Sequence, residues 1–147
     1  MKKLLFNIYF WITIFVVTIS GIVVLPGILF VNMVIHGRSF DEGMRRFIRL
    51  YGWVLVCLAP FLKPVKVEYR GKTLPETVIF IANHNSAIDP YLFGAIPKNN
   101  SFVTTWPFKI PVYNLFMLGA RYINATKGWN YVIDQSCKLL DSGSCIT

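Results

Sequence analysis

Between Leu4 and Ile35 the chain carries no charged residue, an interval of 32 positions. As one straight α-helix this interval would measure roughly 48 Å at 1.5 Å per residue. The hydrocarbon core of a bilayer is only about 30 Å thick. The segment must therefore tilt strongly, protrude or fold back. Pro26 and Gly27, within VVLPGILF, mark where a helix could kink or break. Lys2 and Lys3 precede the run, and Arg38, Arg45, Arg46 and Arg49 follow it. If both basic flanks keep to the same side of a membrane, a re-entrant hairpin is favoured over a single span. A secretory signal peptide would have a shorter apolar stretch closed by an A-x-A-like site, and neither feature is present.

Composition points the same way. Hydrophobic residues make up 54% of the 147 positions and charged residues 15%, against about 25% charged in an average soluble domain. The length fits one modest domain, or a small domain with a membrane anchor. Up to Arg70 there are nine basic residues and three acidic ones. Nucleic acid and anionic lipid are the two partners that a basic balance serves. Here the cations flank apolar segments and form no polar stripe with interleaved aromatics, which favours anionic phospholipid over nucleic acid. The three cysteines (Cys57, Cys137, Cys145) form neither a disulfide framework nor a metal-type spacing. Cys57, inside an apolar run, reads as a core or lipid-facing residue, and a cytoplasm-facing protein is expected.

Three regions follow. Residues 1–37 form the hydrophobic membrane segment, as a span or a re-entrant hairpin. Residues 38–64 read as a basic and apolar interfacial helix. Ser39 would be its N-cap, with Asp41 and Glu42 favoured by the dipole of its first turn. Arg45, Arg46 and Arg49 would meet phosphates while Trp53, Leu55 and Phe61 enter the acyl region, and Pro60 and Pro64 would end the helix. A buried core helix is the alternative reading. In residues 65–147 strand and helix patterns alternate. VKVEY reads as a half-exposed strand and GKTLPE as a turn. TVIFIAN reads as a central strand covered on both faces. YLFGAI reads as a short helix, SFVTTW as a strand, PFKIPVYNLFMLG as loop and helix, and ARYINAT as a strand. NYVIDQSCKLL reads as a helix that buries Val132, Ile133, Cys137, Leu139 and Leu140, and DSGSCIT as the turn into a further strand. Such alternation predicts an α/β layer. A strand opening so close to Thr147 would leave the sheet cut short.

The one strongly polar cluster, NHNSAIDP (Asn83–Pro90), follows the most apolar of these strands. A strand ending in Asn83-His84 delivers a histidine to the carboxyl edge of a sheet, where ligands bind in open α/β folds. A neutral histidine can take a proton from a hydroxyl. It needs a carboxylate on the other ring nitrogen to fix its tautomer and stabilise the imidazolium. Asp89, five residues on, could curl back to do so. An ordinary turn and N-cap would use the same Asn, Ser and Asp types. The other histidine, His36, borders the apolar run and reads as interfacial and structural. The chain has no G-x-S-x-G elbow, no phosphate-binding glycine loop, no C-x-x-C and no H-E-x-x-H.

NHNSAIDP resembles the N-H-x-S-x-x-D block of glycerolipid acyltransferases, specifically the lysophosphatidate (1-acylglycerol-3-phosphate) acyltransferase family. The setting is similar too: apolar N-terminal helices, a basic helix, then a strand into the motif. The resemblance implies an α/β fold, namely a partial acyltransferase-type sheet with flanking helices behind a membrane-associated helical segment. It implies His84 as general base, Asp89 as its orienting carboxylate, and Asn83 and Ser86 as substrate-binding neighbours. The family's second block is similar to WPFKIPVYNLFMLGARYINATKG, with Lys109, Pro111 and Gly119 as the matching substrate-binding positions. Asn114 stands where the family usually has glycine, and Lys127 is the cation nearest the position of its arginine. A third block, which holds the acceptor phosphate in the family, would begin just after CKLLDSGSCIT, so these 147 residues alone would have little activity. The implied reaction moves an acyl chain from acyl-CoA or acyl carrier protein to the free hydroxyl of lysophosphatidate, giving phosphatidate. No metal and no resident cofactor are implied. A relative acting on glycerol-3-phosphate or another lysophospholipid, and a non-catalytic membrane-binding fragment, are the alternatives.

Overall fold

The uncharged run forms one helix. A computed structural model of the chain describes residues 2–58, 68, 70, 73–83 and 89–147. Helix α1 covers Lys2–Phe30 and continues into a π-helical turn, Val31–Ile35. Pro26 sits inside α1 without ending it, so the break expected at Pro26-Gly27, and with it the hairpin, is not formed. Proline cannot donate to the carbonyl one turn back, and in α1 the helix continues past it on both sides. Within Leu4–Ile35 an 18-residue window reaches a mean hydropathy of 2.7, and only 6% of it is buried. By length and composition this helix could cross a membrane.

The chain reverses through His36–Ser39. Gly37 takes a left-handed φ of +61° there, which costs glycine nothing. Buried Asn32 ties the reversal together. Its side chain donates to the Ile28 carbonyl (2.8 Å) and accepts from the Arg38 guanidinium (3.0 Å). Helix α2 then runs Phe40–Leu58. Ser39 caps it, its hydroxyl accepting from the Glu42 amide (3.4 Å). Pairs Asp41–Arg45 and Glu42–Arg46 close at 2.9 and 3.0 Å, one helical turn apart.

Helices α1 and α2 pack antiparallel. Leu29 lies against Gly43, Gly21 against Phe47 and Tyr51, and Thr18 shares a 2.8 Å hydrogen bond with Tyr51. This placement corrects the interfacial reading of α2. Arg45, expected on headgroup phosphates, is 4% exposed, and Met44, Phe47, Leu55 and Val56 are buried as well. Helix α2 is the middle layer between α1 and the sheet, and Trp53 remains half-exposed. Phe61, Pro60 and Pro64 lie outside the described residues.

The sheet is parallel and its strands are short. β1 (Asn100–Ser101) and β2 (Val103–Thr104) form one strand interrupted at Phe102. β1 pairs with β4 (Cys145–Ile146) and β2 with β3 (Ile123–Asn124). Val78–Phe80 adds to the far side of β4 through an Ile79–Ile146 bridge, with Phe80 N donating to Ile146 O (2.7 Å) and Ile146 N to Val78 O (3.1 Å). Among the described residues β4 thus lies between Val78–Phe80 and β1. The Val78–Asn83 run is not the covered central strand expected from its apolar character. It stands at the rim of the described sheet, with Ile79 at 58% and Ile81 at 96% exposure. The VKVEY strand lies outside the described residues except for Glu68, which is exposed.

Side chains alternate across the sheet as the period of two requires. Phe102 and Tyr122 face α2 and α4 (Tyr113–Gly119), in a core with Met44, Met117 and Ala120. Val103, Ile123 and Ile146 face α5 (Trp129–Asp141), packing on Val132 and Leu139. Leu140 is half-buried as expected, but Ile133 and Cys137 point outward. The fold is therefore α/β in its layering but mostly helical by residue count.

Candidate functional site

The parallel strands give the sheet one carboxyl edge, and several candidate residues come to it. Asn83 follows Val78–Phe80 past that edge and is exposed. His84 and Ser86 lie outside the described residues. Asp89 reappears on the far side as the first residue of a short helix, α3 (Asp89–Leu92), half-buried, and α3 runs into a 3-10 turn, Phe93–Ala95. This crossover carries the chain back to the start of β1. Lys109 ends another 3-10 turn, Trp106–Lys109, directly after β2, so it shares the edge with Asn83. Its side chain is exposed. Pro111 follows it. Gly119 does not join them: it closes α4 at the opposite edge, where a Cβ would stand 3.3 Å from Met44 Cε and 3.4 Å from the Phe40 ring. Its missing side chain serves helix packing.

The crossover is fixed from both sides. A Cβ added at Gly94 would lie 2.4 Å from Trp53 N and 2.8 Å from Arg49 O, so its backbone sits directly on the backbone of α2. Gly52 answers it, with a Cβ there meeting Tyr91 O at 3.1 Å. On the sheet side, rings run in file from Phe80 through Phe93 and Phe102 to Tyr122, with centroids 5.7, 5.4 and 5.3 Å apart. Edge-to-face contacts of this kind add to simple burial. Asp89 therefore opens an element that has little room to move.

A cationic wall stands behind α3 that the sequence did not reveal. Arg45, Arg49 and Lys98, with Pro90, Phe93 and Asn100, line a cavity of about 30 Å³, room for about one water molecule. Arg45 is a structural tie. Its Nε donates to Asn99 Oδ1 (2.7 Å), and its Nη1 donates to Asp41 Oδ2 (2.9 Å) and to the Ala120 carbonyl (3.0 Å). Burial raises the Asp41 carboxyl, but the Ser39 hydroxyl and the Arg45 charge outweigh it, so the group ends below its ordinary value of 3.8. Burial, with the Arg46 charge adding to it, pulls the Arg49 guanidinium down. Asn100 Oδ1 is buried with no hydrogen-bond partner among the described residues, while its amide donates to Thr147 Oγ1 (2.8 Å). The signal available in the sequence was only that α2 carries three arginines among apolar residues. Which of them turns inward follows from where β1 and α4 pack.

A larger cleft of about 320 Å³, between α4, β3 and α5, is lined by Arg121, Tyr131, Gln135 and Lys138. It lies away from Asn83 and Asp89. Lys127 follows β3 in a 3-10 turn and holds its Nζ 4.8 Å from the Tyr131 ring centre. Among the described residues no group of three or more His, Cys, Asp and Glu could hold a metal ion.

No protein-family model matches this chain, and no curated protein and no solved structure shows significant similarity to it.

Proposed function

We propose that this chain is a membrane-associated glycerolipid O-acyltransferase of the lysophosphatidate type. The observation that carries the reading is the position of the NHNSAIDP block. Its first residue, Asn83, follows a strand at the carboxyl edge of a parallel sheet, and Asp89 opens a crossover seated against α2 by Gly94. That edge is where open α/β folds bind ligands. Lys109 on the same edge offers a cation to a phosphate-bearing substrate, and α1 supplies the apolar segment that a lipid-handling enzyme needs.

In this reading the His84 imidazole takes the proton of the acceptor hydroxyl as that oxygen attacks the thioester carbonyl of acyl-CoA or acyl carrier protein. An ester C–O bond forms, the C–S bond breaks, and the sulfur leaves as thiolate to recover the proton from imidazolium. Asp89 orients the ring and stabilises its charged form. The residues between Asn83 and Asp89 supply the base, and membrane attachment through α1 on the cytoplasmic face would bring lipid acceptor and soluble donor together.

The test is acyl transfer from acyl-CoA to lysophosphatidate by membranes containing the protein, with His84→Ala and Asp89→Asn alongside. Loss of a general base costs about 100-fold or more. An unchanged rate in His84→Ala would sink the assignment. Equal turnover of unphosphorylated monoacylglycerol would argue against phosphate recognition and for another acceptor.

A further inference from the structure

We propose that the rim formed by Trp106, Val112 and Trp129, with Lys109 and Lys127, is a second membrane contact that seats the carboxyl edge of the sheet on an anionic phospholipid bilayer. The first observation is a strained turn. Val112 has φ +69° and ψ −54°, and Tyr113 N donates to Pro111 O at 2.8 Å. This is a γ-turn of the unfavourable hand, built on a β-branched residue for which positive φ is a true outlier. Strain of this kind persists only where the surroundings enforce it, and it gathers at functional positions. What it accomplishes here is to leave an apolar side chain 53% exposed at the head of α4.

The neighbours share that exposure. Trp106 is 67% exposed and Trp129, at the start of α5, is 78% exposed. Two exposed indoles at one edge match the amphipathic rings that settle at headgroup level. The charge is complementary as well: between Asp89 and Asp134 the chain carries Lys98, Lys109, Arg121 and Lys127 and no acidic residue. Cations placed among interfacial aromatics are attracted to anionic headgroups.

The helix pair supplies continuity. Helix α2 runs from Met44, beside Gly119 at the amino edge, to Gly52 and Trp53 beside the crossover. Antiparallel α1 therefore directs its N-terminal half beyond the carboxyl edge, since Thr18 already pairs with Tyr51. A bilayer entered by that half of α1 lies over the rim. The proposal rests on the membrane reading of α1, and the experiment separates the two.

The protein is placed in lipid nanodiscs as three single-tryptophan variants that keep Trp11, Trp106 or Trp129, the others replaced by Phe. The probe is phosphatidylcholine brominated high on its acyl chains, with and without phosphatidylglycerol. The rim contact requires blue-shifted emission and bromine quenching for Trp106 and Trp129, stronger with phosphatidylglycerol. It also requires that Val112→Asp weaken Trp106 quenching while a Trp11 reporter stays quenched. Water-like, unquenched Trp106 beside quenched Trp11 overturns the proposal and leaves α1 in the membrane. Blue-shifted but unquenched Trp106 assigns the rim to protein, as a second copy or another partner, and overturns it equally. Quenched Trp106 beside unquenched Trp11 upholds the rim and sinks the reading of α1, and quenching of neither sinks both.

Discussion

Adding a single methyl group at Gly94 tests whether the crossover carrying Asp89 is held by α2. The Gly94 backbone does not occupy the left-handed region, so alanine meets no conformational objection there and its effect is steric. Its Cβ would fall 2.4 Å from Trp53 N, 2.8 Å from Arg49 O and 2.9 Å from Gly52 C. Non-bonded heavy atoms settle near 3.5–4.0 Å, so the 93–95 turn and α2 must separate by about 1 Å. All three neighbours are backbone, so no rotamer change relieves the clash. Overpacking of a tight core costs about 1–3 kcal/mol, and we place Gly94→Ala at the upper end. At about 2–4 °C per kcal/mol for a chain of this size, the melting temperature in detergent should fall by roughly 6–12 °C. Gly119→Ala is the internal control. Its Cβ would meet mainly the flexible end of Met44, at 3.3 Å, and alanine is the better helix former by about 1 kcal/mol, so its melting temperature should barely change. In the acyl-transfer assay Gly94→Ala should lower kcat/KM well beyond its loss of folded protein, because a displacement of about 1 Å near reacting groups costs on the order of 100-fold. If Gly94→Ala melts with the parent protein and Gly119→Ala, the close approach of crossover and α2 is not what fixes Asp89, and the argument fails.

Other consequences can be checked on the same material. Arg45→Met removes the donor to Asp41, Asn99 and the Ala120 carbonyl, and should cost about 3 kcal/mol, as breaking a buried pair does, read as a lower denaturation midpoint. Asp41 has a folded-state pKa below its ordinary 3.8, so its contribution is complete above about pH 5 and is lost as pH falls through the folded value. A melting curve against pH should therefore drop below about pH 4, and Asp41→Asn should be less stable at neutral pH with a shallower acid fall. Val112→Gly relieves the γ-turn and should raise detergent stability by about 1 kcal/mol while weakening Trp106 quenching by brominated lipid. A destabilised Val112→Gly protein would show that the turn is not strained.

The parts of this fold that could be read from the sequence are those set by local chemistry. Ser39 as a cap followed by Asp41 and Glu42, the apolar interval up to Ile35, and the helical spacing of Val132, Leu139 and Leu140 are decided within a turn or two of chain. What could not be read depends on partners far away in sequence. The run TVIFIAN is as apolar as a central strand, yet β4, added last, takes the interior place and leaves Ile79 and Ile81 outward. Apolar runs report burial or a lipid-like environment, not order within a sheet. Arg45 and Arg49 look alike on paper. Only the arrival of Asn99, 54 positions on, and of Ala120, 75 positions on, turns Arg45 into a buried tie. Pro26 gave the same kind of ambiguity, because its cost to a helix is local while the gain from packing Gly21, Leu25 and Leu29 on α2 and its neighbours is not.

The candidate site divides along the same line. Asn83 and Lys109 reach one edge because parallel strands share a direction, and a parallel sheet is what alternating strand and helix patterns predict, while Asp89 opens the crossover that leads back to β1. The means of holding Asp89 there was invisible in the sequence, since Gly52 and Gly94 are 42 positions apart and glycine carries no pattern. The exposed rim was hidden for the opposite reason: PFKIPVYNLFMLG reads as loop and helix with no sign of which side faces out, and Phe116 and Met117 face inward. The positive φ of Val112 marks the turn between the loop and α4, and Val112 itself faces out there. Exposed apolar side chains that gather at one edge call for a second apolar medium, and with α2 and the sheet already packed on Phe116 and Met117, the medium we assign to the rim of Trp106, Val112 and Trp129 is lipid.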